Sequence, residues 1–298
     1  MSEPVAGTCA APSTVRALTR DLEALLVAGG VAAAQREARD IIASVLDVPR
    51  FWPSMHPDVT LDGGTTAEAM RAVRLRACGA PFAYAVRRAA FRHLTLHVDE
   101  RVLIPRAETE ELVEVALALR CAPGGTAIDI GTGSGAIALA LAMEARFDRI
   151  IGTDISGDAI AVARANATTL ASALRTPVEF RIGSLLRPLH DVRARLLCAN
   201  LPYIAFGEAA ALPASVRDWE PPLALFSGDE GMLAIRALLA GGPAVLEPGG
   251  HIVLEVDARR ASLAAELAMT NPCYRDIAVR LDLAGRERFV VATCVESR

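Results

Sequence analysis

The chain has 298 residues, 52% of them hydrophobic but only 4% aromatic, with a formal net charge of −4; this suits one large domain or two ordinary ones around an aliphatic core and gives no global drive towards nucleic acid. Every basic residue is Arg, and the six cysteines (Cys9, Cys78, Cys121, Cys198, Cys273, Cys294) are dispersed without a C-x-x-C pair, which argues against a zinc site or a disulfide framework. No run of about 18 apolar residues and no signal-like start occur, so a soluble cytoplasmic chain without a membrane span is expected.

Residues 1–12 are small, polar and Pro-containing, and are expected to form a disordered tail. Residues 13–78 read as a small helical domain. Leu18, Leu22, Leu25 and Leu26 make one apolar face at spacings of three and four, and Ala38, Ile41, Ile42, Val45 and Leu46 make a second. Pro53, Pro57 and an Asp62-Gly63-Gly64 turn separate these from a third segment, Thr66 to Ala77. Over 79–102 the pattern changes to partial alternation at Phe91, Leu94, Leu96 and Val98, which predicts a linking β-hairpin. The remainder, 103–298, alternates strands with helices. Strands are predicted at Thr126–Ile130, Ile150–Asp154, Val178–Ile182, Leu196–Ala199 and His251–Val256, and helices at Ala136–Glu144, Asp158–Leu170, Met232–Ala240 and Ala261–Met269. Ile277–Leu281 and Arg288–Cys294 close as an antiparallel pair. That rhythm predicts an α/β fold with a mostly parallel sheet covered on both faces.

Two segments carry chemistry. Asp129-Ile130-Gly131-Thr132-Gly133-Ser134-Gly135 follows a strand and opens a helix, where glycine permits a tight turn and close approach of a ligand. Asp154 ends the next strand, placed to accept the ribose hydroxyls of an adenosine. The glycines run G-x-G-x-G, which favours S-adenosylmethionine over a dinucleotide; Asp129, Thr132 and Ser134 are candidate partners for its methionine end. An NAD-dependent oxidoreductase would share this loop, but no hydride-site His or Tyr-Lys pair accompanies it. The second segment is Asn200-Leu201-Pro202-Tyr203, just past the fourth strand. An amide nitrogen is a weak nucleophile because its lone pair is delocalised. The Asn200 side-chain oxygen and a backbone carbonyl in the turn supply two acceptors that orient it. Pro202 keeps Leu201 out of the helical region, and Tyr203 offers a flat surface to an amide or a base. Together the segments point to methyl transfer from S-adenosylmethionine onto a planar nitrogen.

Taken in order, these features resemble the N5-glutamine methyltransferases that modify peptide chain release factors. The resemblance runs from about Ala38 to Ala292. It rests on Val102-Leu103-Ile104-Pro105-Arg106-Ala107-Glu108-Thr109-Glu110, the glycine loop, Asp154, the Asn-x-Pro-Tyr turn, Glu220-Pro221 with Ala224-Leu225-Phe226, Gly231-Met232, Pro248-Gly249-Gly250, and Asp282 to Arg288. It implies a Rossmann-like class I methyltransferase sheet over 103–298, behind a small N-terminal helical domain joined by a β-hairpin. It implies methylation of the glutamine in a Gly-Gly-Gln loop of class 1 release factors by a monomer without direct nucleic-acid contact. Gly131, Thr132, Gly133, Ser134, Gly135, Asp154, Leu185 and Asn200 are the implied cofactor residues, with Leu185 near the adenine. Asn200, Leu201, Pro202 and Tyr203 are the implied clamp on the glutamine amide, of which Asn200, Pro202 and Tyr203 are the catalytic members.

The chain departs from the family at Leu201, where Pro is usual, at Ser184 and Arg195, where acids are usual, and at Val256-Asp257. The backbone carbonyl at 201 survives, so activity is expected to persist. The rivals are methylation of a ribosomal-protein glutamine, adenine N6 methylation of nucleic acid, and a cofactor-binding module without turnover. Arg106, Glu108 and Glu110 read as structural support, and Trp219 as a lid or a packed anchor. No metal site is expected, because His93 and His97 fall in a strand region.

Overall fold

The computed structural model describes residues 11–119, 121 and 123–295; most of the expected tail, with Cys9, lies outside them. The chain divides into two compact units, residues up to Arg88 together with Ala214–Trp219, and Ala89–Pro213 together with Glu220 onward.

The first unit runs β1 (Ser13–Thr14), α1 (Val15–Ala28), α2 (Ala34–Leu46), α3 (Trp52–Met55), β2 (Thr60–Leu61), α4 (Gly63–Ala77) and α5 (Phe82–Val86). Thr14 caps α1 by accepting from the Ala17 N–H. The periodic residues Leu18, Leu22, Leu26, Ala38, Ile41 and Ile42 then meet Ala69, Ala72 and Val73 of α4 in one buried cluster. The Asp62-Gly63-Gly64 segment is not the expected turn. Asp62 Oδ1 accepts from the Thr65 N–H at 2.9 Å and Oδ2 from the Thr65 hydroxyl at 2.8 Å. This cap satisfies donors that a helix end leaves free, and both glycines enter the first turn of α4. β1 and β2 form a short antiparallel pair; this pair and α5 were not legible in the periodicity.

Next comes a hairpin, β3 (Arg88–Phe91) and β4 (Leu94–His97), as expected from the alternation; all of it but Arg88 belongs to the second unit. Then follow α6 (Ala107–Ala118), β5 (Thr126–Ile130), α7 (Ala136–Glu144), β6 (Arg149–Asp154), α8 (Gly157–Thr169), β7 (Val178–Ile182) and β8 (Ala194–Asn200). After the short α9 (Ala214–Arg217), which groups with the first unit, come α10 (Pro222–Leu225), α11 (Leu233–Gly241), β9 (Leu246–Glu255), α12 (Ala261–Met269), β10 (Tyr274–Leu281) and β11 (Glu287–Cys294). The seven strands are ordered β10-β11-β9-β8-β5-β6-β7. The five from β9 to β7 are parallel, while β11 pairs antiparallel with both β9 and β10. Helix α6 was not predicted. β9 starts five residues before the expected His251, because Leu246 pairs with Ala194 ahead of a register shift in β8. Residues Ala136 to Ala142 of α7 are buried on every face, which explains their composition of Ala, Ile and Leu. Among the described residues, no helix is long and apolar enough to cross a membrane.

The sheet order reverses between β5 and β8, which opens a crevice at their carboxyl ends. One buried side chain helps to set its floor. Asn166 of α8 accepts from the His97 N–H at 2.8 Å and donates to the His97 carbonyl at 3.0 Å and the Ser134 carbonyl at 2.9 Å. It thereby ties the end of the hairpin to the glycine loop. Replacing it by alanine strands the buried Ser134 carbonyl, at a cost of roughly 1–3 kcal/mol, and two partly buried backbone groups of His97. Asn166→Ala is therefore expected to lower unfolding free energy by about 1–3 kcal/mol, read from the midpoint of urea denaturation. A loss within experimental error would remove Asn166 from this role.

Candidate active site

The site is built on two strand ends at the same level. Ile130 of β5 pairs with Ala199 of β8, so one residue further on Gly131 leaves β5 beside Asn200, the last residue of β8. Gly131 has φ +73°, and a Cβ there would meet Leu201 Cδ2 at 3.1 Å; only glycine fits both demands. The Gly131 and Thr132 N–H groups donate to the Thr153 carbonyl at 2.8 and 2.9 Å, which anchors the loop to β6.

Asp129 holds the loop from beneath. It is fully buried, and its Oδ2 accepts from the Thr132 hydroxyl at 2.6 Å and the Ala138 N–H at 3.1 Å. Its other oxygen is buried without a hydrogen-bond partner. Burial pushes its carboxyl up to about 7, against the pull of those two donors. Asp154 lies at the end of β6. Its Oδ2 accepts from the Gly133 N–H and its Oδ1 from the Ser156 N–H, both at 2.9 Å. Burial raises its pKa while these backbone donors oppose the rise.

A cavity of ≈ 480 Å³ occupies the crevice. Gly131, Gly133, Asp154, Ser184, Leu185, Asn200, Leu201 and Pro202 all line it. Leu185 sits at φ +49°, a strained backbone for a branched residue, of the kind that clusters at ligand sites. The other predicted residues stand one layer back. Thr132 and Ser134 are buried under the loop, and a Cβ on Gly135 would press on Leu139, Ala163 and Phe180. Tyr203 packs against the hydrophobic core behind the turn, and its phenol is pushed up to about 12 by burial and then by Glu255.

The Asn200 carboxamide is oriented. Its Nδ2 donates to the Thr109 hydroxyl of α6 at 2.9 Å, and among the described residues no donor occupies its Oδ1. The turn beyond it is fastened by Ile204 N–H to the Leu225 carbonyl at 3.1 Å and Ser227 N–H to the Ile204 carbonyl at 2.9 Å. Gly231, at φ +88°, lies so close under this turn that a Cβ would collide with the Tyr203 carbonyl. Pro221, Leu223, Phe226 and Leu233 complete the apolar wall. Thr109, Gly231 and Leu233 had no predicted role. All but Leu233 fall inside motif blocks that were read as a pattern, not residue by residue.

Arg106 pairs with Glu220, whose second oxygen accepts from the Ile104 N–H at 3.3 Å, and Glu108 pairs with Arg286 at 3.2 Å. Glu110 contributes its backbone, with the N–H donating to the Arg106 carbonyl at 3.3 Å and the carbonyl accepting from Arg92 at 3.0 Å. Arg195 stacks its side chain on Gly125 and donates to the Pro123 carbonyl at 2.7 Å, and it does not line the cavity. Trp219 belongs to the first unit, with its indole nitrogen 3.8 Å from where a Gly79 Cβ would lie. Among the described residues no group of three or more His, Cys, Asp or Glu side chains is placed to hold a metal.

Comparison with known proteins agrees with this architecture. A family described as "Methyltransferase domain" matches residues 122–196. The release factor glutamine methyltransferase of Xylella fastidiosa (strain Temecula1) is 39% identical over 272 residues, covering 91% of this chain and 97% of its own. That of Moorella thermoacetica is 38% identical, with 90% and 94% covered. Among solved structures, a methyltransferase from Pyrococcus furiosus superposes with a TM-score of 0.52 at 15% identity, over 70% of this chain and 92% of its own; it supports the fold alone.

Two carboxyls give the site a pH signature. Asp129 and Glu255, which ends β9, are both pushed up to about 7 by burial. In the unfolded chain such groups release their protons near 4. Between these values the folded chain holds protons that the unfolded chain has lost, so stability falls as pH rises from about 4 to 7 and then levels. Calorimetric Tm values at pH 5, 6, 7 and 8 should decline over this window, and Asp129→Asn should remove about one proton from the slope. An unchanged slope in the variant would contradict the assignment.

Proposed function

The chain belongs to the release factor glutamine methyltransferases, and from that premise we propose that it transfers a methyl group from S-adenosylmethionine to the side-chain N5 of a glutamine. We take the target to be the Gly-Gly-Gln loop of class 1 release factors, modified in the cytoplasm by a monomer. The observation that carries this reading is the placement of an oriented Asn200 carboxamide in the same cavity as Gly131, Gly133 and Asp154.

The residues present fit the cofactor. The cavity volume lies within the range of roughly 300–1,000 Å³ common for small-molecule sites. Gly131 and Gly133 present bare backbone, and Asp154 keeps free lone pairs for ribose hydroxyls although each oxygen already holds one N–H. Leu185 supplies an apolar surface for the adenine. When bound, S-adenosylmethionine brings an electrophilic methyl group on a sulfonium sulfur.

This chain's own contribution is orientation. The glutamine amide has two N–H groups, and the Asn200 Oδ1 and the Leu201 carbonyl are the acceptors that fix them. Held this way, the nitrogen lone pair faces the methyl donor instead of sampling solvent orientations. Pro202 restricts the backbone at 201, and the buried Leu201 side chain packs under Gly131, so the turn is braced by a different contact from the usual second proline. Tyr203 stays protonated at any physiological pH, because its phenol is pushed up to about 12. It therefore packs as a neutral ring and does not act as a base.

The test is incubation with labelled S-adenosylmethionine and purified release factor, ribosomal protein or DNA, with the label located by mass spectrometry. Label is expected on the release-factor glutamine; label on adenine or on a ribosomal protein would replace the substrate. Asn200→Ala is expected to lower kcat by about 10²-fold or more while leaving cofactor affinity intact. Asp154→Ala should instead weaken cofactor binding by about tenfold or more in calorimetry.

A further inference from the structure

The Asn200 carboxamide can serve as an acceptor only if its oxygen, not its nitrogen, faces the cavity. The two ends of an amide are nearly the same shape, so packing alone chooses poorly between them. Hydrogen-bond polarity chooses well, and three side chains on neighbouring elements supply it.

Asn200 and Glu255 are direct partners in the parallel β8–β9 register, so their side chains leave the sheet on the same face. Helix α6 packs against both strands on that face and presents Thr109, itself 5% exposed. The Asn200 Nδ2 donates to the Thr109 hydroxyl at 2.9 Å. The same hydroxyl neighbours the Glu255 carboxyl and favours its ionised form. Glu255 is 2% exposed, and its Oε2 is buried with no partner at all. Of the groups that act on this carboxylate, Thr109 is the one that offers it a hydroxyl proton, while Arg288, Glu108 and Glu111 act by charge alone.

A threonine hydroxyl has one proton. A carboxylate accepts and cannot donate, so it takes that proton. The hydroxyl is left with lone pairs for its other neighbour, which must then present N–H. We propose that Glu255 and Thr109 are positioning residues that set the Asn200 carboxamide with its nitrogen inward and its oxygen towards the substrate nitrogen. This rests on the reading of Asn200 as the acceptor for that nitrogen.

Protonation of Glu255 undoes the constraint, since a carboxylic acid can donate to Thr109 and free the hydroxyl proton for the Asn200 oxygen. Burial is the main force favouring the protonated form. Thr109 and Arg288 of β11 favour the ionised form, while Glu108 and Glu111 of α6 oppose it; the Tyr203 phenol beyond β8 is neutral. The positioning is accordingly engaged above about pH 7 and relaxed below it.

Glu255→Gln tests this with little change of shape. Its amide can either accept from or donate to Thr109, so the hydroxyl proton is no longer committed and the Asn200 carboxamide is free to turn over. kcat on the protein substrate should fall by about 10²-fold, with cofactor Kd unchanged. The rise in kcat through pH 7 should disappear. Thr109→Val should match this loss, and Thr109→Ser should restore the rate. A second readout needs neither cofactor nor substrate: in 15N-labelled protein the Asn200 side-chain amide resonance should titrate near pH 7 and should stop doing so in Glu255→Gln. Wild-type kcat in Glu255→Gln or Thr109→Val, or an Asn200 resonance that titrates equally in the Gln variant, would overturn the proposal. If the unmodified chain methylates no glutamine protein, the functional reading fails instead, and the resonance alone decides the role of Glu255.

Discussion

Ile130 and Ala199 are partners in one parallel strand pair, and this register controls where the chemistry can happen. Both chains run out of the sheet at the same height, so a glycine and an asparagine distant in sequence face one crevice. The order of strands reverses between β5 and β8, which keeps helices from covering that edge of the sheet. A slip of one residue in β8 would turn Asn200 to the opposite face and bring Leu201 into its place. Asp129 strengthens the arrangement from below. Its single engaged oxygen ties Thr132 to the start of α7, so the loop is fixed before any ligand arrives.

Much of this was readable from the residues. The alternation of apolar runs with helical segments predicted the α/β unit, and the strands that end at Ile130 and Asp154 lie where expected, while Asn200, expected just past its strand, is the last residue of β8. The glycine loop was legible because three glycines directly after a strand have few other uses, and all three occupy positive φ. Local capping chemistry was harder. Asp62-Gly63-Gly64 has the composition of a turn, yet Asp62 uses its carboxylate to start a helix. Helix α6 was masked because its sequence was taken as a motif, although Leu112, Val113 and Ala116 all become buried.

Within the site, sequence separated residues by type but not by direction. Thr132 and Ser134 have polar side chains suited to a ligand, but they turn inward to close the loop, and the neighbouring glycines line the cavity. Thr109 and Glu255 drew no attention because each is ordinary for its own element. Their relation to Asn200 exists only once α6 lies across β8 and β9. Such third-party contacts depend on tertiary register, which periodicity does not encode.

The same dispersion bears on how the molecule assembles. The turn at Asn200 is braced by an earlier helix through Thr109, by a later segment through Leu225 and Ser227, and by a still later strand through its pairing with Glu255. Contacts so remote in sequence close large loops and form late. A nascent chain that has emerged only as far as Tyr203 already contains every residue of the glycine loop and the Asn-Leu-Pro-Tyr turn, yet it lacks β9, the strand that holds one flank of β8. Competence is therefore acquired near the end of synthesis, and an incomplete chain carries the motifs without the geometry that gives them meaning.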